Sequence, residues 1–341
     1  MQRFVTFVNQ QFKLSEMKVL VTGANGLLGH HIVFELLKRN LQVAIIVRST
    51  ENIFFDLKAV EVIVGDFMDY DSLKYAATAC DAIIHTAATT STKLLYYQEY
   101  QNINSHGAAL VVQVANVLNI HHLVFVSTAN TIGYGNSNAV ADETFPIESP
   151  FSNSFYAQSK VEAEEIFVKA SKMPKNHVVI INPTFMIGAF DTKPSSGRLL
   201  LMAYKKRLMF IPKGGKNFVD VSAVGALVCN ALNRGRNGER YLASGKNMSF
   251  REFYTLQKQI GNYKQLLIEI PDTILKLIAR VGDLLRKMGI KTEINSMNVK
   301  QLIIREYYSN QKAKSELEMP DTDMKISISN AIDWFKLYKK I

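Results

Sequence analysis

From Met17 onward, short runs rich in β-branched apolar residues alternate with longer stretches in which apolar positions recur every three to four residues. The short runs predict strands at Lys18 to Thr22, Gln42 to Val47, Val60 to Val64, Ala82 to His85, His122 to Ser127 and Val178 to Ile181. The amphipathic stretches predict helices near Leu27 to Arg39, Ser72 to Thr78, Asn102 to Leu118 and Phe155 to Ser171. Strand and helix in turn give a doubly wound α/β fold, with a buried parallel sheet covered by helices on both faces. Beyond Pro183 the rhythm breaks into loops and scattered helices, interrupted by Pro194-Ser195-Ser196-Gly197 and Lys213-Gly214-Gly215-Lys216-Asn217. The expected organisation is an extension over residues 1–16, an α/β domain over 17–183 and a smaller lobe over 184–341 that can interleave with it. A late helix, Thr273 to Met288, carries Ile274, Leu277, Ile278, Val281, Leu284, Leu285 and Met288 on one broad face. Such a stripe is expected to pack on its own protein, with a membrane-surface or dimer role as the alternative.

Composition narrows the class. A 341-residue chain with 48% hydrophobic residues has material for a large ordered core. No window approaches the roughly 18 to 20 uninterrupted apolar residues of a membrane span. The first sixteen residues offer one early cation, Arg3, and interrupt Phe4, Val5, Phe7, Val8 and Phe12 with polar residues, so they make a poor secretory signal and a cytoplasmic protein is expected. The net charge of +10 is spread along the chain, and its densest clusters, Lys205-Lys206-Arg207 and Lys339-Lys340, belong to no groove-reading motif. Nucleic acid is therefore not an expected partner. A second reading is that Lys193, Arg198, Lys205, Arg207, Lys213 and Lys216 favour an anionic ligand. Cys80 and Cys229 make no disulfide framework, no cluster has metal-like spacing, and the pairs His30-His31 and His121-His122 read as solvated.

The strand Lys18-Val19-Leu20-Val21 runs into Thr22-Gly23-Ala24-Asn25-Gly26-Leu27-Leu28-Gly29, which opens an amphipathic helix. Glycines here permit a tight turn and close approach of a pyrophosphate, and the helix start offers unpaired amides. The strand, turn and helix context makes this a dinucleotide-binding pattern of the Rossmann type. The next strand ends Val47-Arg48-Ser49, where an acidic residue would hold the ribose of NAD. Arg48 instead suits a 2′-phosphate, so NADP(H) is the expected cofactor and NAD(H) the second choice. Gly65-Asp66-Phe67 and His85-Thr86-Ala87-Ala88 follow the third and fourth strands, at the ends where such sheets bind ligands.

Tyr156 and Lys160 lie four apart in Tyr156-Ala157-Gln158-Ser159-Lys160 and so share a helix face. Together with the glycine turn, Gly65-Asp66, His85 to Ala88, Asn104, Ser127-Thr128 and Pro183, they give the chain from Met17 a strong resemblance to the extended short-chain dehydrogenase/reductase family. The resemblance implies that Tyr156 is the general acid/base, that Lys160 binds the nicotinamide ribose and lowers the tyrosine pKa, and that Thr128, or failing it Ser127, orients the substrate oxygen. It also implies cofactor contacts from Asn104 and Pro183, and homodimers that pair through the tyrosine-bearing helix.

Within that family the stretch Ile181-Asn182-Pro183-Thr184-Phe185 separates branches. Sugar-nucleotide enzymes commonly carry an arginine before the proline and an asparagine two residues after it, where this chain has Asn182 and Phe185. Phe185 offers no polar contact, and an unpaired buried polar group costs on the order of 1 to 3 kcal/mol, so a fairly apolar small-molecule substrate is expected. Asn182-Pro183-Thr184 resembles the dihydroflavonol reductase and 3β-hydroxysteroid dehydrogenase branch. Two alternatives stay open: a nucleotide-sugar epimerase or dehydratase, and a non-catalytic NADP(H)-binding protein. Thr89 to Thr92, Tyr96, Tyr97, Phe185 and Phe190 are candidate pocket residues, with core packing an equal reading of the aromatics. Ala223 stands where relatives usually have an aspartate, which leaves local helix capping in question.

Overall fold

The computed structural model describes residues 17–91, 93–338 and 341, so the readings placed on residues 1–16, Thr92 and Lys339-Lys340 lie outside the described residues. The first half alternates β1 (Lys18–Thr22), α1 (Leu27–Lys38), β2 (Gln42–Val47), β3 (Glu61–Val64), α2 (Tyr70–Ala77), β4 (Ala82–His85), α3 (Tyr97–Leu118), β5 (His122–Val126), α4 (Phe155–Ser171) and β6 (His177–Pro183). After it come β7 (Phe185–Ile187), α5 (Arg198–Ala203), β8 (Leu208–Ile211), β9 (Gly215–Asp220), α6 (Val221–Arg234), β10 (Arg240–Ala243) and β11 (Lys246–Ser249). The chain closes with α7 (Phe250–Ile260), β12 (Leu266–Glu269), α8 (Asp272–Lys287), α9 (Ser296–Ile303), β13 (Arg305–Glu306), α10 (Gln311–Leu317) and α11 (Met324–Leu337).

Seven parallel strands form the main sheet in the order β10-β6-β5-β4-β1-β2-β3. Successive residues of a strand point to opposite faces, and β1 shows the consequence. Val19 and Val21 enter the core under α1 and α6, while Leu20 enters the core under α2, α3 and α4. Both faces being covered, the strands read as continuous apolar runs rather than alternating ones. The order reverses at β1, between β2 and β4, and the glycine turn leaves the sheet there. A crevice for a ligand opens at such a reversal, beyond the carboxyl ends of the strands.

The chain after Pro183 serves both parts of the molecule. It returns α6 and β10 to the main sheet, and builds a second core of Phe218, Phe250, Phe253, Trp334 and Phe335 around the small sheet of β7, β9, β11 and β13. Asp220 caps α6 by accepting from the amides of Ser222 (2.7 Å) and Ala223 (3.3 Å), so capping survives with alanine at 223.

Three expectations change. His30 is not solvated but fully buried, because α1 is covered by the sheet on one side and by aromatic rings on the other. Its ring stacks on Phe190 at 5.3 Å, and Phe190 also meets Trp334 edge-on at 6.3 Å, which makes Phe190 part of the seam between the lobes. Lys216 and Arg198 are not free for an anion, since they pair with Glu306 (2.7 Å) and Glu293 (2.6 Å). The apolar stripe of α8 faces outward: Leu277, Val281, Leu284 and Met288 are 55 to 68% exposed, while Leu275, Ala279 and Gly282 face the protein. A β-carbon on Gly282 would lie 1.8 Å from the Ile294 carbonyl oxygen, so the smaller face is the one that fits close packing.

Candidate active site

Parallel pairing sets the carboxyl ends of the strands side by side. Thr22 lies level with Ile46 and His85, His85 with Phe125, Val47 with Val64, and Val126 with Ile181. The residues that follow, Gly23, Arg48, Gly65, Thr86, Ser127 and Pro183, therefore line one edge of the sheet.

At the centre of that edge Gly23 has φ +75°, and a β-carbon there would lie 2.8 Å from the Ala87 amide nitrogen and from Thr86 Oγ1. Gly29 is pressed on the turn, with the Gly23 carbonyl oxygen 2.1 Å from where its β-carbon would be. Gly26 differs: it is exposed, and a β-carbon would meet only the Gly23 oxygen at 3.2 Å. It sits at the N-cap of α1 with no side chain capping the helix, and the amides of Leu27 and Leu28 begin the first turn beside Asn25. An uncapped helix start over a glycine surface fits a pyrophosphate. Arg48 is exposed just past β2 and, among the described residues, has no ion pair. Asp66 turns back on its own loop, accepting from the Met68 amide at 3.0 Å, while Phe67 packs under Gly107 and against the His85 ring at 5.6 Å.

Thr86 and Ala87 line the Gly23 side of the edge and Ala88 is exposed. Asn104 commits both ends of its amide to the protein: its oxygen accepts from the Thr89 amide (2.8 Å), and its nitrogen donates to the Thr89 carbonyl (3.2 Å) and Ser159 Oγ (2.9 Å). It ties the loop after β4 to α4 and so helps to position that loop.

Ser154 caps α4, whose first turns carry the catalytic candidates. Lys160 is buried and donates to the Val126 carbonyl at 2.8 Å, with its ammonium 4.1 Å from the centre of the Phe125 ring. Burial lowers its pKa to about 7, with Glu164 pulling the other way. Tyr156 is pushed up to about 12, first by burial, against a hydrogen bond from the Thr128 side chain. Tyr100 lies beside the phenol at 6.4 Å between ring centres. Ser127 is buried, with a hydroxyl that has no partner among the described residues, and Thr128 follows it with a hydroxyl that accepts from the Asn130 amide at 3.3 Å.

Sequence reasoning missed what holds Thr128. Asn182 donates to the Thr128 carbonyl (3.1 Å) and to Glu164 Oε1 (2.7 Å), while Thr131 Oγ1 donates to the same carboxylate at 2.6 Å. Glu164 follows Lys160 by four residues and so lies on the same helix face, which was the available signal. Removing that carboxylate leaves Asn182 and Thr131 to share the Thr128 carbonyl as their remaining buried acceptor, so Glu164→Ala is expected to lower stability by about 1 to 3 kcal/mol in urea denaturation, with Glu164→Gln recovering part of it. An unchanged denaturation midpoint in Glu164→Ala would remove the network from the account. His85 also went unassigned. It hydrogen-bonds Thr22 Oγ1 at 2.7 Å, stacks on Phe125, and is held neutral, near 3, by burial and then by Lys160.

Phe185 lies half-buried at the start of the second lobe, edge-on to Phe218 at 5.6 Å and 5.7 Å from the Lys216 ammonium.

Comparison with known proteins agrees with this geometry. The profile of the NAD dependent epimerase/dehydratase family matches residues 19–242. The chain is 27% identical to sterol demethylase protein B of Methylococcus capsulatus, over 94% of this chain and 98% of that protein. It is also 27% identical to a putative dihydroflavonol 4-reductase of Synechocystis, over 93% and 94%. Among solved structures, gox2253 superposes with a TM-score of 0.80 at 25% identity, covering 95% of this chain and 99% of that one. The chain belongs to the NAD-dependent epimerase/dehydratase family, and it is an NAD(P)-dependent reductase or dehydrogenase of the extended short-chain dehydrogenase/reductase type.

Proposed function

We propose that the protein interconverts a carbonyl and a secondary alcohol on a small, fairly apolar substrate, with NADP(H) as cofactor. The observation that carries this reading is the convergence of α4, which bears Tyr156 and Lys160, on the carboxyl end of β5, where Lys160 donates to the Val126 carbonyl at 2.8 Å and Thr128 follows two residues on. When bound, the nicotinamide supplies or accepts the hydride. Thr128 holds the substrate oxygen against Tyr156. A phenol pushed up to about 12 keeps its proton at neutral pH and can give it to an oxygen that is gaining negative charge, which suits carbonyl reduction. Lys160, anchored at Val126 with its proton loosened by burial, would hold the hydroxyls of the nicotinamide ribose. Asn104 fixes the Thr89 backbone on the other side of the site.

Phe185 supports an apolar substrate, because a ring at that position leaves a hydroxyl-rich ligand without a partner. The sterol named in one relative and the dihydroflavonol named in the other are compatible with such a pocket. Incubating the enzyme with NADPH and ketones of increasing apolar size should consume NADPH. UDP-sugars interconverted without net NADPH loss would instead identify an epimerase.

Arg48 supports NADP(H) over NAD(H), since an exposed guanidinium with no ion pair among the described residues can take a 2′-phosphate. Arg48→Ala is expected to weaken NADPH roughly tenfold or more while leaving NADH nearly unchanged in a binding titration. Equal wild-type affinity for the two cofactors, unaltered by the substitution, would reject the preference.

A further inference from the structure

The outward face of α8 has the makings of a membrane-binding surface. At about 100° per residue, Leu277, Val281, Leu284, Met288 and Ile274 fall within one arc, and Lys276, Arg280 and Lys287 follow along one of its edges. The remaining arc, Leu275, Ala279 and Gly282, is the one committed to the protein. A helix that shows solvent a broad apolar face bordered by cations matches the pattern of helices that lie in a bilayer interface.

The strand pair that leads into α8 repeats the pattern. β8 and β12 run parallel, with Leu208 level with Leu266 and Phe210 with Ile268. These four side chains are exposed, while Leu267 and Ile211 point inward. Because the strands are parallel, their starting ends coincide and gather Lys205, Lys206, Arg207 and Lys264, all exposed. Two apolar surfaces, joined in the chain by Ile270-Pro271, thus each carry a cationic border on a protein of net charge +10.

We infer that α8 and the β8–β12 pair dock the enzyme on an anionic lipid surface. The charge argues for lipid over a second copy of the chain. In a twofold dimer the same patch meets itself, so the cations of the two copies would add to one another. Anionic headgroups would instead neutralise them while the apolar face enters the acyl boundary. Among the described residues no helix is long and apolar enough to cross a membrane, and the proposed contact requires none.

The helix that bears this surface is tied on its inner side to the loop before α3. Arg286 of α8 donates to the Leu94 carbonyl at 2.6 Å, and the neighbouring Ser91 carbonyl accepts from Tyr100, whose ring lies beside Tyr156. Lys93 and Arg198 meet Glu293 just after α8. One loop therefore touches both the apolar helix and the ring next to the phenol. An apolar substrate dissolved in lipid would reach the site from that side, although the docking inference stands whatever the substrate proves to be.

The test is flotation of the full-length protein with vesicles of phosphatidylcholine alone or mixed with phosphatidylglycerol, alongside light scattering. The wild type is expected to float with the mixed vesicles, more weakly with the neutral ones, and to be released as salt is raised. Leu277→Glu with Leu284→Glu should abolish flotation, and Lys276→Gln with Arg280→Gln and Lys287→Gln should weaken it on mixed vesicles at least about tenfold, both with unchanged thermal midpoints. Wild-type protein that floats with neither vesicle, variants that float as the wild type does, or a wild-type dimer that Leu277→Glu with Leu284→Glu splits into monomers would each overturn the inference.

Discussion

Tyr156→Phe is expected to lower turnover by about 10² to 10⁴-fold, the usual contribution of a positioned acid or base, while NADPH affinity stays near wild type. The substitution removes one oxygen and leaves the ring that faces Tyr100. Lys160 keeps its hydrogen bond to Val126, and the glycine turn and Arg48 lie on other elements. Only the proton donor is lost, and with it the partner that Thr128 holds in place. Steady-state kinetics together with a fluorescence titration of NADPH separate the two effects. Full turnover in the variant would take Tyr156 out of the chemistry, and an equal loss of cofactor binding would make its role structural.

Gly29→Ala is expected to weaken NADPH at least about tenfold and to cost about 1 to 3 kcal/mol of stability. Its β-carbon would lie 2.1 Å from the Gly23 oxygen and 2.7 Å from the Ala24 α-carbon, both backbone atoms that no side-chain rotation can clear. The turn must open, and opening it moves the amides of Leu27 and Leu28 that the pyrophosphate requires. Gly26→Ala is the control. Its φ of −86° suits any residue and its one neighbour is at 3.2 Å, so stability should hold. Binding and urea denaturation measured on both variants check the contrast, and a Gly29→Ala protein with wild-type affinity would contradict it.

Six strands of the main sheet were legible because a strand covered on both faces must be apolar at nearly every position, and such runs stand out, whereas β10 lies in the stretch past Pro183 whose pattern reads as loops and scattered helices. β1, β2 and β4 begin and end where the pattern placed them, and α4 does so from Phe155 to Ser171. The glycine turn was legible for a different reason: close backbone approach admits glycine and little else. What stayed hidden depended on which face of an element meets the protein. In α8 the sequence pattern points the larger apolar stripe inward, but Gly282 lets the helix approach Ile294 along the smaller face. His30 and Lys216 look solvated as residue types, and only tertiary packing shows one enclosed by aromatic rings and the other paired with Glu306. The Glu164, Asn182 and Thr131 network draws on three separate elements, so helix spacing could point to Glu164 but not to its partners.

The central claim is that Tyr156, Thr128 and Lys160 serve hydride transfer between NADP(H) and a carbonyl carbon. The most direct measurement incubates the enzyme with NADPH deuterated at nicotinamide C4, on the transferable face, and an apolar ketone that consumes it, then analyses the alcohol by mass spectrometry. Deuterium on the carbinol carbon of a single enantiomer, absent with Tyr156→Phe, is the predicted result. NADPH that remains unconsumed across the ketone panel while a UDP-sugar is interconverted would contradict it.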